Sequence, residues 1–161
     1  LLPNIKLLVI LRNPVDRAFS QYHHWQRLNW EDRSFEVAIN QELEILKTTP
    51  KQPQGDRKYW RLSGNYIGRG VYIEFIKKWM AVFSRKQFLI LRGEDLYQTP
   101  DNTMKQVFDF LGLPEHKLAK YKKLNSGSYT PISDLLRQRL SEYFQPHNHR
   151  LEEYLGMKFN W

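Results

Sequence analysis

The sequence predicts an α/β fold in which helices outnumber strands around a parallel sheet, and three observations predict it. Residues Ile5 to Leu11 form a nearly continuous aliphatic run, as expected of a strand buried on both faces of such a sheet. Directly behind it stands a helix start, with Asn13 as cap and Pro14 at the first helical position, where a missing N–H costs nothing. A second strand-like run covers residues 87–92, and the stretches between and after the two runs carry helical periodicity.

The remaining elements follow in order. Between Ser34 and Lys47 a helix is predicted, with Phe35, Ala38, Ile39, Leu43 and Leu46 apolar. Residues 48–69 have no steady period and are rich in Pro, Gly and cations, the mark of a functional loop or a disordered one. Tyr72, Phe75, Ile76, Trp79, Met80 and Phe83 then fall on one wide helical stripe, read as core. Thr99 and Pro100 open the next helix, Met104, Val107, Phe108 and Leu111 form its buried face, and Gly112 ends it. Ser133 opens a last helical region with Leu136, Leu140, Tyr143 and Phe144 on one face, expected to break or kink at Pro146 and to resume with Leu151, Tyr154 and Leu155. Two strands do not make a stable parallel sheet, so completion of the sheet elsewhere is expected.

A chain of 161 residues, 41% hydrophobic and 14% aromatic, is long enough to bury a core and fits one domain or most of one. It contains no apolar run of membrane-spanning length. The absence of cysteine excludes disulfides and thiolate metal sites and favours a cytoplasmic setting. The net charge of +8, from 25 basic and 17 acidic residues, implies an anionic partner, and a nucleotide or a nucleic acid satisfies it equally. His23 and His24 are adjacent on a helix and do not chelate one metal; they read as surface or ligand-side residues. Glu94 and Asp95 point apart on extended chain and read as structural, and His147 and His149 as hydrogen-bonding groups at a helix junction.

The most informative segment runs from Arg12 to Ser20. The fold reading puts Arg12 at the carboxyl end of a strand, where open α/β sheets bind ligands, and Ser20 about two turns into the following helix. A guanidinium fork and a hydroxyl converging on one point suit a phosphate monoester, since the fork binds two oxygens and the hydroxyl donates to a third. Arg17 either supplements that site or pairs with a nearby carboxylate. Further on, Lys123, Ser126, Gly127, Ser128 and Tyr129 lie in a Gly-containing turn flanked by lysines and hydroxyls, which is either an ordinary turn or a second phosphate-binding loop.

Arg12 to Ser20 resembles the 3′-phosphate-binding segment of sulfotransferases that use 3′-phosphoadenosine 5′-phosphosulfate (PAPS). Gly70-Val71-Tyr72, the helix to Trp79, the strand at 87–91, Glu94-Asp95-Leu96 and Phe110-Leu111-Gly112-Leu113 follow in that family's order. The tail from Tyr143 to Asn148, with Leu151, Leu155-Gly156 and Trp161, resembles the heparan-sulfate and bacterial branches. The resemblance implies a P-loop-NTPase-like parallel sheet flanked by helices, here lacking its N-terminal phosphate-loop strand. It also implies a single sulfotransferase domain over residues 1–161, N-terminally truncated, with the catalytic base upstream of Leu1. The loop at 123–129 is then a PAPS-closing segment, and 48–69, with Tyr59, Trp60, Arg61, Tyr66 and Arg69, an acceptor-facing lid. Three departures stand out: Ser126 where relatives place a lysine before the glycine, Gly93 where cytosolic members place a tyrosine, and no cysteine where the Golgi enzymes carry a pair.

The expectation is therefore a bacterial, cytoplasmic, PAPS-dependent sulfotransferase acting by in-line transfer to a hydroxyl or amine of a carbohydrate, small molecule or protein side chain, without a metal. Residues 1–161 alone are expected to be inactive. The alternatives are a nucleotide-dependent phosphotransferase of related fold and a basic nucleic-acid-binding module.

Overall fold

The computed structural model describes residues 3–48, 65–117, 121 and 130–161. The chain divides into two compact units, one of Leu1–Arg12 with Glu74–Pro131, the other of Asn13–Ile73 with Ile132–Trp161.

The first unit is built on two parallel strands, β1 (Leu7–Leu11) and β2 (Phe88–Arg92), in the register Leu7 to Phe88 through Leu11 to Arg92. β2 is buried at Phe88, Ile90 and Leu91, as a continuous apolar run demands. β1 departs from the expectation of burial on both faces: Leu8 is 44% and Ile10 56% exposed, while Leu11 is buried. An aliphatic run reports hydrophobicity on both faces, but burial also requires a layer over each, and the described residues leave the Leu8/Ile10 face only partly covered. The amino-terminal end of β1 is tied to β2 by the Gln87 amide, which donates to the carbonyls of Pro3 (3.3 Å) and Ile5 (3.0 Å).

Among the described residues, three helices run through or within this unit: α3 (Tyr72–Met80, which starts in the second unit), the short α4 (Asp95–Gln98) and α5 (Pro100–Leu111). The stripe read as core on α3 is core only in part. Tyr72 and Ile76 are buried, and so is Ile73, but Trp79 is 53% exposed and stacks on Phe83 at 5.8 Å. Pro14-like logic holds for Pro100 at the start of α5, yet Thr99 does not cap it; its hydroxyl turns back to the Asp95 carbonyl at 3.4 Å. The face of α5 with Met104, Val107, Phe108 and Leu111 is half-buried, and Thr103 is its buried residue. Gly112 ends α5 in the left-handed region (φ 73°), with Leu113 N–H donating to the Phe108 carbonyl at 2.9 Å, as a glycine-terminated helix does.

The second unit packs α1 (Pro14–Arg27), α2 (Phe35–Thr48), a 3₁₀ turn at Gly68–Gly70 and the long α6 (Asp134–Leu155). Asn13 caps α1 as its sequence predicts, accepting from the N–H groups of Val15 (2.9 Å) and Asp16 (3.3 Å). Val15, Ala18 and Tyr22 bury one face of α1, and Phe35, Ala38, Ile39 and Leu43 one face of α2. Ser133 caps α6, and Leu136, Leu140, Phe144, Leu151 and Leu155 form its buried stripe. Pro146 neither breaks nor interrupts α6. It lies on the exposed side, where water can hydrogen-bond the Glu142 carbonyl that proline leaves without an N–H.

Candidate functional site

Arg12 closes the first unit. The strand end before it is fixed by Gly93, whose N–H donates to the Leu11 carbonyl at 2.6 Å. A side chain at position 93 would begin 3.3 Å from that carbonyl oxygen and 3.4 Å from the Arg12 Cβ, so glycine permits this close approach. The Arg12 residue itself is exposed. Behind β2, Arg92 and Asp95 pair at 3.7 Å, which agrees with a structural reading of Asp95.

The chain passes into the second unit between Arg12 and Asn13. Asn13 occupies two of the first free N–H groups of α1, those of Val15 and Asp16. Asp16, Ser20 and His24 recur at intervals of four and share one side of α1. Ser20 is exposed, and among the described residues none hydrogen-bonds its hydroxyl. One turn earlier, Asp16 is engaged by the Arg137 guanidinium of α6 at 2.8 Å. His24 is exposed and lies 3.5 Å from Arg27. His23 turns elsewhere, into the rings of Phe19 and Tyr22, with Nδ1 at 3.1 Å from Gln26. Burial there lowers its pKa, the Gln26 contact opposing and Arg27 adding to the effect.

Arg17 is drawn inward. Its guanidinium donates to Gln21 at 2.7 Å and to the Tyr66 carbonyl, and its charge acts on Glu42. Glu42 is a fully buried carboxylate that accepts N–H groups from Tyr66 (2.6 Å), Ile67 (3.1 Å) and Gly68 (3.0 Å). Burial raises its pKa, while the three N–H donors and Arg17 pull it back. Tyr66, expected on an acceptor-facing lid, is instead a core residue with no exposure. Its hydroxyl donates to Glu31 at 2.8 Å, and its ring packs against Tyr22, Trp25 and Phe35. Burial and the Glu31 carboxylate raise the Tyr66 pKa. Burial works to raise Glu31 as well, but hydrogen bonds from Arg33 and Tyr66 outweigh it and hold Glu31 below the ordinary carboxylate value. Gly70 lets the segment pass beneath α6: a Cβ there would lie 2.7 Å from the Phe144 ring and 3.0 Å from Pro14.

Of the sequence-predicted site residues, Arg12 and Ser20 lie on either side of the unit boundary, eight positions apart and both exposed. Lys123, Ser126, Gly127, Ser128 and Tyr129 lie outside the described residues, as do Tyr59, Trp60 and Arg61. Arg69 is exposed. The sequence reading missed Glu42, although its place between Ile39 and Leu43 on the α2 stripe is a signal for a buried carboxylate. It also missed Arg137, for which no local signal exists.

Residues 1–148 match the sulfotransferase domain model, and the chain belongs to that family. It is 27% identical to human carbohydrate sulfotransferase 15, over 99% of this chain and 31% of that protein. It is 29% identical to the Xenopus laevis bifunctional heparan sulfate N-deacetylase/N-sulfotransferase 1, over 96% of this chain and 20% of that protein. A crystal structure of a sulfotransferase from Alicyclobacillus acidocaldarius aligns with a TM-score of 0.71 and 27% identity, covering 96% of this chain and 56% of that one. The fold is therefore that of a sulfotransferase, α/β and P-loop-like, and the chain spans part of the length of these relatives. Among the described residues no helix is long and apolar enough to cross a membrane.

Proposed function

We propose that this chain is the part of a PAPS-dependent sulfotransferase that holds the 3′-phosphate of the donor, and that the whole protein transfers a sulfuryl group to a hydroxyl or amine acceptor. PAPS supplies the activated sulfuryl group when bound. Arg12 offers two parallel N–H donors to phosphate oxygens, and Ser20 offers its hydroxyl to a third. The loop with Lys123, Ser126, Gly127, Ser128 and Tyr129 encloses the nucleotide. Binding energy gathered at the remote phosphate orients the sulfuryl group for attack. Both compact units belong to one sulfotransferase domain in this reading, supported by a family match that runs through both. A cytoplasmic, bacterial setting completes it, supported by the cysteine-free sequence and the likeness to the Alicyclobacillus structure.

The observation that carries the proposal is an exposed Ser20 hydroxyl with no described partner, on the helix that directly follows a strand-end arginine. Its test uses the full protein that contains this chain. Arg12→Ala is expected to weaken 3′-phosphoadenosine 5′-phosphate in calorimetry by about 1.5–3 kcal/mol while sparing adenosine 5′-phosphate, with Ser20→Ala showing the same selectivity at smaller size. Equal weakening of both nucleotides removes these residues from the 3′-phosphate site.

A further inference from the structure

Resting on the assignment of Ser20 to the 3′-phosphate, we propose that Arg137 is a positioning residue for that site, acting through Asp16. Asp16 stands four residues before Ser20 on the same side of α1. A bare carboxylate there repels the dianion that Ser20 is placed to meet. Arg137 lies 121 residues away in sequence, on α6, yet its guanidinium reaches the Asp16 carboxylate at 2.8 Å. The pair is partly exposed, with side chains 42% and 36% accessible, so it adds little to stability as an ion pair. Its effect falls on the field along α1: paired, Asp16 presents a neutral surface beside Ser20. Arg139, two residues on, donates to Asn40 of α2 at 2.6 Å, so the same stretch of α6 is also held to α2.

The experiment is a double-mutant cycle in the full protein, read by calorimetry with 3′-phosphoadenosine 5′-phosphate and with adenosine 5′-phosphate. Arg137→Gln is expected to weaken the 3′-phosphorylated nucleotide about three- to tenfold at low salt, to leave the other within about twofold, and to lose most of its effect at roughly 0.5 M salt. Arg137→Lys keeps the charge and restores binding. The double variant Asp16→Asn, Arg137→Gln, which removes the repulsion with its cure, returns to within about twofold of the parent. Equal weakening of both nucleotides by Arg137→Gln overturns the inference as a general structural effect. A double variant as weak as the single also overturns it, since Arg137 then touches the phosphate itself. Ser20→Ala separates the two levels: if it is selective while Arg137→Gln is not, only this inference falls, and if Ser20→Ala has no selectivity, the site assignment beneath it falls as well.

Discussion

In the strand unit, the described residues leave Leu8 44% and Ile10 56% exposed, whereas in the helical unit Ala18, Ile39, Tyr66, Ile67, Leu140 and Phe144 have no exposure at all. The strand unit draws its order from backbone pairing of β1 with β2, supplemented by the Gln87 side chain. The helical unit adds buried polar groups to a close-packed core: Glu42 satisfies three N–H groups of the 66–68 segment, and Glu31 satisfies Tyr66 and Arg33. Apolar surface alone therefore does not decide where stability resides. Ser20 stands on the helix that this core locks in place, and mutations should separate the two units by size of effect.

The largest loss is expected for Glu42→Leu, which leaves three buried N–H groups without an acceptor. Urea unfolding should show about 3–5 kcal/mol, and a loss below about 1 kcal/mol would mean that the carboxylate does not organise the segment. Gly70→Ala comes next, at about 1–3 kcal/mol, because its methyl would meet the fully buried Phe144 ring and the Pro14 ring at the start of α1.

A smaller effect, about 1 kcal/mol, is expected for Glu152→Gln. Glu152 accepts from Phe159 N–H at 2.7 Å and pairs with Lys158 at 3.0 Å, and these contacts, the Phe159 bond foremost, hold its pKa below the ordinary carboxylate value. A lowered folded-state pKa contributes stability above the ordinary range and loses it as pH falls through the folded value. Glu152→Gln should therefore lower stability by that amount at neutral and alkaline pH and flatten the acid side of the stability–pH curve, where the parent loses the contribution anyway. At the small end, Ile10→Thr on the partly covered face of β1 should cost less than about 0.5 kcal/mol in the same urea assay. A core-sized loss there would show that this face is covered in solution.

What was legible in the sequence follows the range of the forces involved. The Asn13-Pro14 start of α1 and the Gly112 end of α5 were readable because capping is settled within a few residues. The stripe on α6 was readable at Leu136, Leu140, Phe144, Leu151 and Leu155 because it repeats over five turns, but Tyr154, placed on it, is 45% exposed. Trp79 sits on the predicted stripe of α3 and is nonetheless exposed, since periodicity names a face without naming what covers it. Thr99 carries the right chemistry for a cap, but the Asp95 carbonyl competes for its hydroxyl. Pro146 lacks an N–H, yet an exposed helix side tolerates that loss. At the candidate site, residue type and position single out Arg12 and Ser20, and the structure leaves both exposed. Arg137 was not legible, because its partner Asp16 lies in a different helix and only the tertiary fold brings the two together.

The hydrogen bond from Gly93 to the Leu11 carbonyl carries a thermodynamic consequence for the anion site proposed at Arg12. It extends strand pairing to the residue before Arg12, so the backbone of that arginine is ordered before a ligand arrives. Under that proposal, binding would cost side-chain freedom of about 0.5–1.5 kcal/mol without the further cost of freezing a loop.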